Sequence, residues 1–222
     1  RDHGEKGAAI PERRRLRPGA FAALFGRAFN AVASVLSVLS ALVALSTALA
    51  ATTVQADEAL WSKLAEGGRV VMIRHSPTVP GVYDPEGWTL DDCASQRLLS
   101  EAGREHAKRL GEAFRARGIA VGRVLSSRFC RCIDTAALAF GSVEPWEMLD
   151  NIGYDDAQTR ERKRLAVREA ISRWGAAANL VLVSHGFNTT AATGVSLAQG
   201  EMVVLEPQGD DGFRVLGTLT VR

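Results

Sequence analysis

From residue 57 onward the apolar positions switch between two periods, and the switches mark the elements. Arg69 to Arg74 holds the run Val70-Val71-Met72-Ile73, and Val121 to Leu125 and Asn179 to Val183 are further short runs without a polar face. That is the pattern of strands covered on both sides in a parallel sheet. Between them the spacing turns helical. Glu58 to Glu66 stops at Gly67-Gly68, and Ser100 caps a segment in which Arg104 to Arg117 mixes charges with Ala, Leu and Phe. Cys130 to Phe140 places Ile133, Ala136, Ala137 and Phe140 on one face, and Ala157 to Trp174 is a strongly charged helix. Val143 to Leu149 is read as a short strand, and Met202 to Leu205 and Phe213 to Val221 as an antiparallel pair turning at residues 208–212. Strands alternating with helices predict an α/β fold: a mostly parallel central sheet with helices on both faces, a three-layer sandwich.

Residues 1–56 follow a different rule. Arg13, Arg14, Arg15 and Arg17 precede an apolar, Ala/Ser-rich stretch from Ala31 to Ala51, and Val54-Gln55-Ala56 fits a small-x-small cleavage site. The expectation is an export leader over 1–56 and one domain over 57–222, placed in the periplasm; an uncleaved inner-membrane anchor facing the periplasm is the alternative. The chain's formal net charge is +2, with the basic excess concentrated in the leader. Residues 57–222 therefore carry no electrostatic footprint for nucleic acid, and a membrane enters only through an uncleaved leader. Of the three cysteines, Cys130 and Cys132 are too close in sequence to bridge each other well. The expected disulfide joins Cys93 to Cys130 or Cys132. No ligand spacing suggests a metal, and no cofactor is implied.

The chemistry concentrates at strand exits. The first run ends in Arg74-His75, the second in Ser126-Ser127 with Arg131 close behind, and the third in Ser184-His185-Gly186. Parallel strands end on one side of a sheet, so these groups converge over one crevice. Two imidazoles and two guanidiniums repel each other unless a dianion joins them, and phosphate is the commonest. Imidazole can attack phosphorus while arginines hold the equatorial oxygens. Cationic neighbours keep the attacking ring neutral, as attack requires.

With these three ordered segments the chain resembles the histidine phosphatase superfamily, the phosphoglycerate-mutase-like clan. Arg74-His75-Ser76 stands for its Arg-His-Gly/Ala signature, and Ser126 to Ala136 for Ser-Ser-x-x-x-Arg-x-x-x-Thr-Ala. Val181 to Gly186 stands for the strand ending in Thr/Ser-His-Gly/Asn. Asp91 to Ser100 is similar to a segment of the short exported bacterial members. The resemblance implies His75 as nucleophile, with Arg74, Arg131 and His185 completing a phosphate site for a small phosphorylated substrate. It implies a phosphohydrolase for a phosphomonoester or phosphohistidine. The alternatives are a catalytically impaired phosphoester-binding protein and, in a chain this short, less readily a phosphomutase. No local motif fixes the general acid; Asp155, Asp156 and Asp92 are the candidates, in that order, ahead of Glu147 and Asp150. A chain without that acid would lose most on alkyl phosphates and least on good leaving groups.

Other polar residues receive plainer readings. Arg128 is taken as a solvated loop residue, His106 as a surface position on its helix, and Asn188-Thr189-Thr190 as a helix start. The four tryptophans are read as packing residues, with Trp88 in the long 76–98 loop able to line a substrate mouth.

Overall fold

In the structure, a computed structural model, residue 55 and residues 57–221 are described; the rest of the expected leader, residues 1–54 and 56, lies outside the described residues. Side-chain alternation along the strands sorts the core into two layers. Val71 and Ile73 join Val181, Val183, Met202 and Val204 in one buried cluster with Trp61, Leu64, Leu110, Phe114, Ala136 and Ala139. Their strand neighbours Val70, Met72, Leu180, Leu182, Val203 and Leu205 join Leu149, Val167, Ile171 and Ala192 in the other. The first layer is covered by α1 (57–65), α2 (Glu101–Ala116) and α3 (Cys130–Phe140); the second by α4 (Ala157–Ser172) and α5 (Gly186–Thr193). Each such aliphatic contributes about 1.5–3 kcal/mol relative to exposure, so both faces hold the sheet.

The sheet has six strands in the order β3-β2-β4-β1-β5-β6. Here β1 is Val70–Arg74, β2 Val121–Ser126, β3 Glu144–Pro145, β4 Asn179–Ser184, β5 Met202–Pro207 and β6 Phe213–Leu219. The first four in spatial order are parallel, while β5 and β6 add an antiparallel edge. The α/β sandwich expected from the periodicity is the fold observed. One strand is shorter than expected: of Val143 to Leu149 only Glu144 and Pro145 pair, and Glu147–Leu149 is a 3₁₀ turn. Pro145 has no N–H for a ladder, so the segment stays on the sheet edge.

A strand that is apolar on both faces does not set its own register. Asn179, wholly buried at the start of β4, does so with its amide. Its Oδ1 accepts from the Arg69 N–H at 3.0 Å, and its Nδ2 donates to the carbonyls of Leu64 and Ala120 at 2.8 and 2.9 Å. Three segments are thereby pinned at one level, and every group of the amide that is buried is used. At the far end Arg74 then stands opposite Ser184, and Ser126 opposite Val183. This places His75 and His185 side by side at the strand exits.

Candidate active site

The His75 amide donates to the Ser184 carbonyl at 3.0 Å, and the two imidazole rings lie 5.6 Å apart. His75 Nδ1 is 2.9 Å from the Ser76 carbonyl, which can only accept. Nδ1 therefore carries the proton, and Nε2 holds the lone pair. Burial, with Arg131, Arg97 and Arg74 adding repulsion, outweighs that hydrogen bond and lowers the His75 pKa to about 3. His185 is likewise held well below its ordinary value, by burial first and then by Arg131 and His75. Both rings are neutral near pH 7.

Gly200 fixes the backbone beneath His75. Its N–H donates to the carbonyls of both Arg74 and His75, at 3.1 and 3.0 Å. At φ +83° only glycine is at ease, and a Cβ there would sit 2.6 Å from the His106 ring. His106 is buried rather than on the surface, because it falls on the same stripe of α2 as Gly103, Ala107, Leu110 and Phe114. Its Nδ1 meets Ser76 Oγ at 2.9 Å, so Ser76, where the family pattern has Gly or Ala, holds a second imidazole behind the first.

Arg131 enters from the first turn of α3 and is fully buried. Its guanidinium lies 4.6 Å over the Phe129 ring and reaches Asp84 Oδ1 through Nη1 at 3.0 Å. Asp84 also accepts from the Arg97 amide at 2.8 Å and the Tyr154 hydroxyl at 2.8 Å. Burial raises its pKa, but these donors and the Arg131 charge prevail and leave it below the usual carboxylate range. Loop 76–98 is fastened over this corner by more than Asp84. Trp88 packs on Phe129 and Tyr154, with ring centroids 4.7 and 5.0 Å away, and Gln96 accepts from the Cys130 amide at 3.0 Å. The disulfide is Cys93–Cys130, one residue from Arg131; Cys132 is free and buried.

On the other side Ser127 Oγ sits 2.9 Å from His185 Nε2 and 3.2 Å from Asp150 Oδ1. Asp150 is occupied in addition by Arg128, whose amide and Nε donate at 2.7 and 2.8 Å. Arg128 is thus paired rather than simply solvated. Arg74 donates to the Leu197 carbonyl at 2.9 Å, and its guanidinium lies 3.3 Å from where a Cβ on Gly186 would stand, a tight fit for any other residue.

These groups bound a cavity of about 640 Å³ lined at one end by Arg74, His75, Arg97 and His185. Six buried side-chain polar atoms lack a partner among the described residues, and five belong here: Arg74 Nε, Arg97 Nε, Arg131 Nε and Nη2, and His185 Nδ1. Buried donors are rarely left so. The four guanidinium nitrogens among them are N–H donors, and together they suit an anion with several oxygens.

The three acids expected near the leaving group are not brought into the cavity. Asp155 is bound to Lys163 at 2.7 Å, Asp156 caps α4 by accepting from the Thr159 amide at 2.7 Å, and Asp92 caps a 3₁₀ turn through the Ala94 amide at 2.9 Å. Each is consumed locally in stabilising an element or an ion pair. Arg97, Asp84 and Tyr154 are members of the site that the sequence did not single out, and Ser127, placed at the crevice from the sequence, is there as expected. For Arg97 the signal was present in the Gln-Arg-x-Leu-Ser segment; for Asp84 and Tyr154 no periodicity fixes the path of the loops that carry them. Among the described residues no group of three or more His, Cys, Asp or Glu side chains is arranged to hold a metal ion.

A model of the histidine phosphatase superfamily (branch 1) matches residues 70–186, which run from β1 to the start of α5. Among solved structures, a candidate α-ribazole-5′-P phosphatase from Escherichia coli is similar at a TM-score of 0.51 and 17% identity, over 70% of this chain and 98% of its own. A mycobacterial glucosyl-3-phosphoglycerate phosphatase, solved with VO3, is similar at a TM-score of 0.50 and 20% identity, over 66% and 96%. A candidate phosphohistidine phosphatase SixA from Agrobacterium tumefaciens is similar at 0.45 and 20%, over 69% and 98%. No curated protein matches the chain.

Proposed function

Since the chain belongs to the histidine phosphatase superfamily (branch 1), and is by that membership a phosphatase, we propose that it hydrolyses a phosphomonoester through a covalent phosphohistidine on His75. The observation that carries this reading is the set of four unpartnered guanidinium donors, on Arg74, Arg97 and Arg131, around the two imidazoles. Three arginines so close are costly without a counter-charge, and a phosphoryl dianion supplies it while accepting from every one of them.

The steps follow from the ring assignments. Nε2 of His75 attacks phosphorus, the P–O bond to the organic group breaks, and that oxygen leaves with the bonding pair. Nδ1 keeps its proton on the Ser76 carbonyl, so the phosphorylated ring carries a delocalised positive charge that this carbonyl stabilises. The arginines take up the charge that spreads over the equatorial oxygens. Water then attacks the phosphohistidine, the N–P bond breaks, and inorganic phosphate and neutral His75 are regained. The first turn of α5, which has no side-chain cap, adds backbone N–H groups beside His185.

The test is p-nitrophenyl phosphate turnover by the chain and by His75→Ala. Loss of turnover with the substitution, and a ³²P label that is acid-labile and absent from the variant, are expected. Unchanged turnover in His75→Ala would sink the nucleophile assignment; phosphate binding with no turnover of any phosphoester would favour a binding protein. We further propose that the enzyme works outside the cytoplasm. The Cys93–Cys130 disulfide supports an oxidising compartment, and subcellular fractionation of cells that make the full chain tests it: recovery only with the cytoplasm would overturn this reading.

A further inference from the structure

Resting on that phosphatase reading, we propose that the substrate is a phenolic phosphate that carries a second acidic group, held by Phe187 and Arg160. The cavity is much larger than a phosphate, and its volume is that of a site for a drug-sized ligand. Beyond the two histidines its wall includes the apolar stretch Ile152, Gly153, Phe187 and Ala191, bordered by the short polar side chains of Asn151, Thr190 and Ser196. Phe187 follows His185-Gly186 directly and is 68% exposed. Its ring edge packs close to Gly153, where a Cβ would lie 3.1 Å from Phe187 Cδ2, so the ring is positioned rather than loose. An exposed aromatic held at the mouth of a phosphate pocket offers its face to a flat apolar group.

Charge sharpens the class. Arg160 lines the far part of the cavity and spends only its Nε, on the Asp155 carbonyl at 2.9 Å. With Arg74 and Arg97 it makes three arginines in the lining, against no carboxylate among the described residues that line it. The phosphoryl group satisfies the inner pair; the outer cation is left for a second anion, a carboxylate or another phosphate. The same lack of a carboxylate removes the usual proton donor for the leaving oxygen. An alkoxide would then depart slowly, whereas a phenolate leaves without being protonated in the transition state. Size, apolar lining, outer cation and missing acid all select one kind of molecule.

The experiment compares kcat/KM for phenyl phosphate, 2-naphthyl phosphate, 2-phenylethyl phosphate, 6-carboxy-2-naphthyl phosphate and 2,6-naphthalenediol bisphosphate, the last halved for its two equivalent esters. We expect 2-phenylethyl phosphate to be slower than phenyl phosphate by about 10²-fold or more, the scale of a general acid's contribution. The naphthyl ester should exceed phenyl by about fivefold, an aromatic contact's worth, and Phe187→Ala should bring that ratio close to one. A carboxylate or second phosphate should add about threefold or more at low salt, an advantage lost in Arg160→Met and on raising ionic strength; the two arms tell which acid is taken. Equal rates for the phenolic and alkyl esters, or ratios that neither variant moves, would overturn the proposal. No hydrolysis of phenyl phosphate at all would instead strike the phosphatase reading beneath it.

Discussion

Asp84 and Arg131 form a buried ion pair that uses one corner of the guanidinium and leaves its other edge free. Oδ1 meets Nη1 at 3.0 Å with the two side chains 2% and 0% exposed, while Nε and Nη2, the two nitrogens that form a bidentate fork, have no partner. The carboxylate therefore aims Arg131 instead of neutralising it across the pocket. A loop that the sequence presents as polar filler becomes the backing of the Arg131 guanidinium.

Asp84→Asn should lower kcat/KM by about 10²-fold, the cost of displacing a reacting group by an ångström. If the role is aiming, p-nitrophenyl phosphate and phenyl phosphate suffer alike, and the inhibition constant of inorganic phosphate rises in step. A loss confined to phenyl phosphate, the poorer leaving group of the two, would mean that Asp84 protonates the leaving oxygen. Stability falls too, because removing one partner of a buried pair typically costs about 3–5 kcal/mol.

The disulfide works on the same corner. Cys93–Cys130 closes 37 residues between loop 76–98 and the start of α3, next to Arg131. Reduction should lower stability by about 2–4 kcal/mol and should raise the KM for p-nitrophenyl phosphate as the loop's grip on Asp84 weakens. Cys132 will not substitute in exchange, because burial pushes its thiol up to about 12. Melting and kinetics with and without dithiothreitol check both effects; a reduced protein with unchanged KM would separate the bridge from the site.

Acid should destabilise the free enzyme in a defined window. The folded-state pKa of His75 is about 3 and that of His185 lies well below 6.5, so between pH 6.5 and 3 the unfolded chain binds protons that the folded one refuses. Stability is then present above pH 6.5 and is lost as pH falls, by about 1.4 kcal/mol per unit for each ring in the steep part. His106, also lowered by burial, acts in the same direction, and Asp84 adds its loss only at lower pH. Melting temperature should drop from pH 7 to 5, the drop should shrink in His75→Asn, and phosphate should restore part of it. A flat profile would show that the rings are more solvated than their burial indicates.

The sheet, the flanking helices and both histidines were legible because a buried strand ends in an abrupt change from apolar to polar, and Ile73-Arg74-His75 and Val183-Ser184-His185 both make that change. The bounds of α3 were legible for the same reason, its stripe of Ala and Phe ending at Gly141. What the chain hides is whatever depends on a loop's route. Asp84 reaches Arg131 across 47 residues and Tyr154 reaches Asp84 across 70, and no local spacing encodes either meeting. Asp92 and Asp156 were attractive as free acids, yet both serve as caps, a role their positions just before a turn and a charged helix already suggested. His106 is the opposite case: its stripe on α2 was readable, and its polar chemistry drew it wrongly to the surface.

Ser76 gives that histidine a partner, and the pair can be separated from catalysis. Ser76→Ala leaves His106 Nδ1 buried without the hydroxyl 2.9 Å away, while Ser76 N–H still donates to Thr135 Oγ1 and the Ser76 carbonyl still holds His75 Nδ1. The lost side-chain bond should cost about 1–3 kcal/mol of stability, the penalty of orphaning a buried polar group, with kcat within about twofold because the Ser76 backbone stays anchored to Thr135 and its carbonyl still holds His75. Replacing both partners, as in Ser76→Ala with His106→Leu, should recover most of the stability, since removing both polar groups avoids the orphan. Chemical denaturation of the two variants beside kcat measures this. A fall in kcat of tenfold or more in Ser76→Ala, with stability unchanged, would instead make the Ser76–His106 pair part of how His75 is positioned.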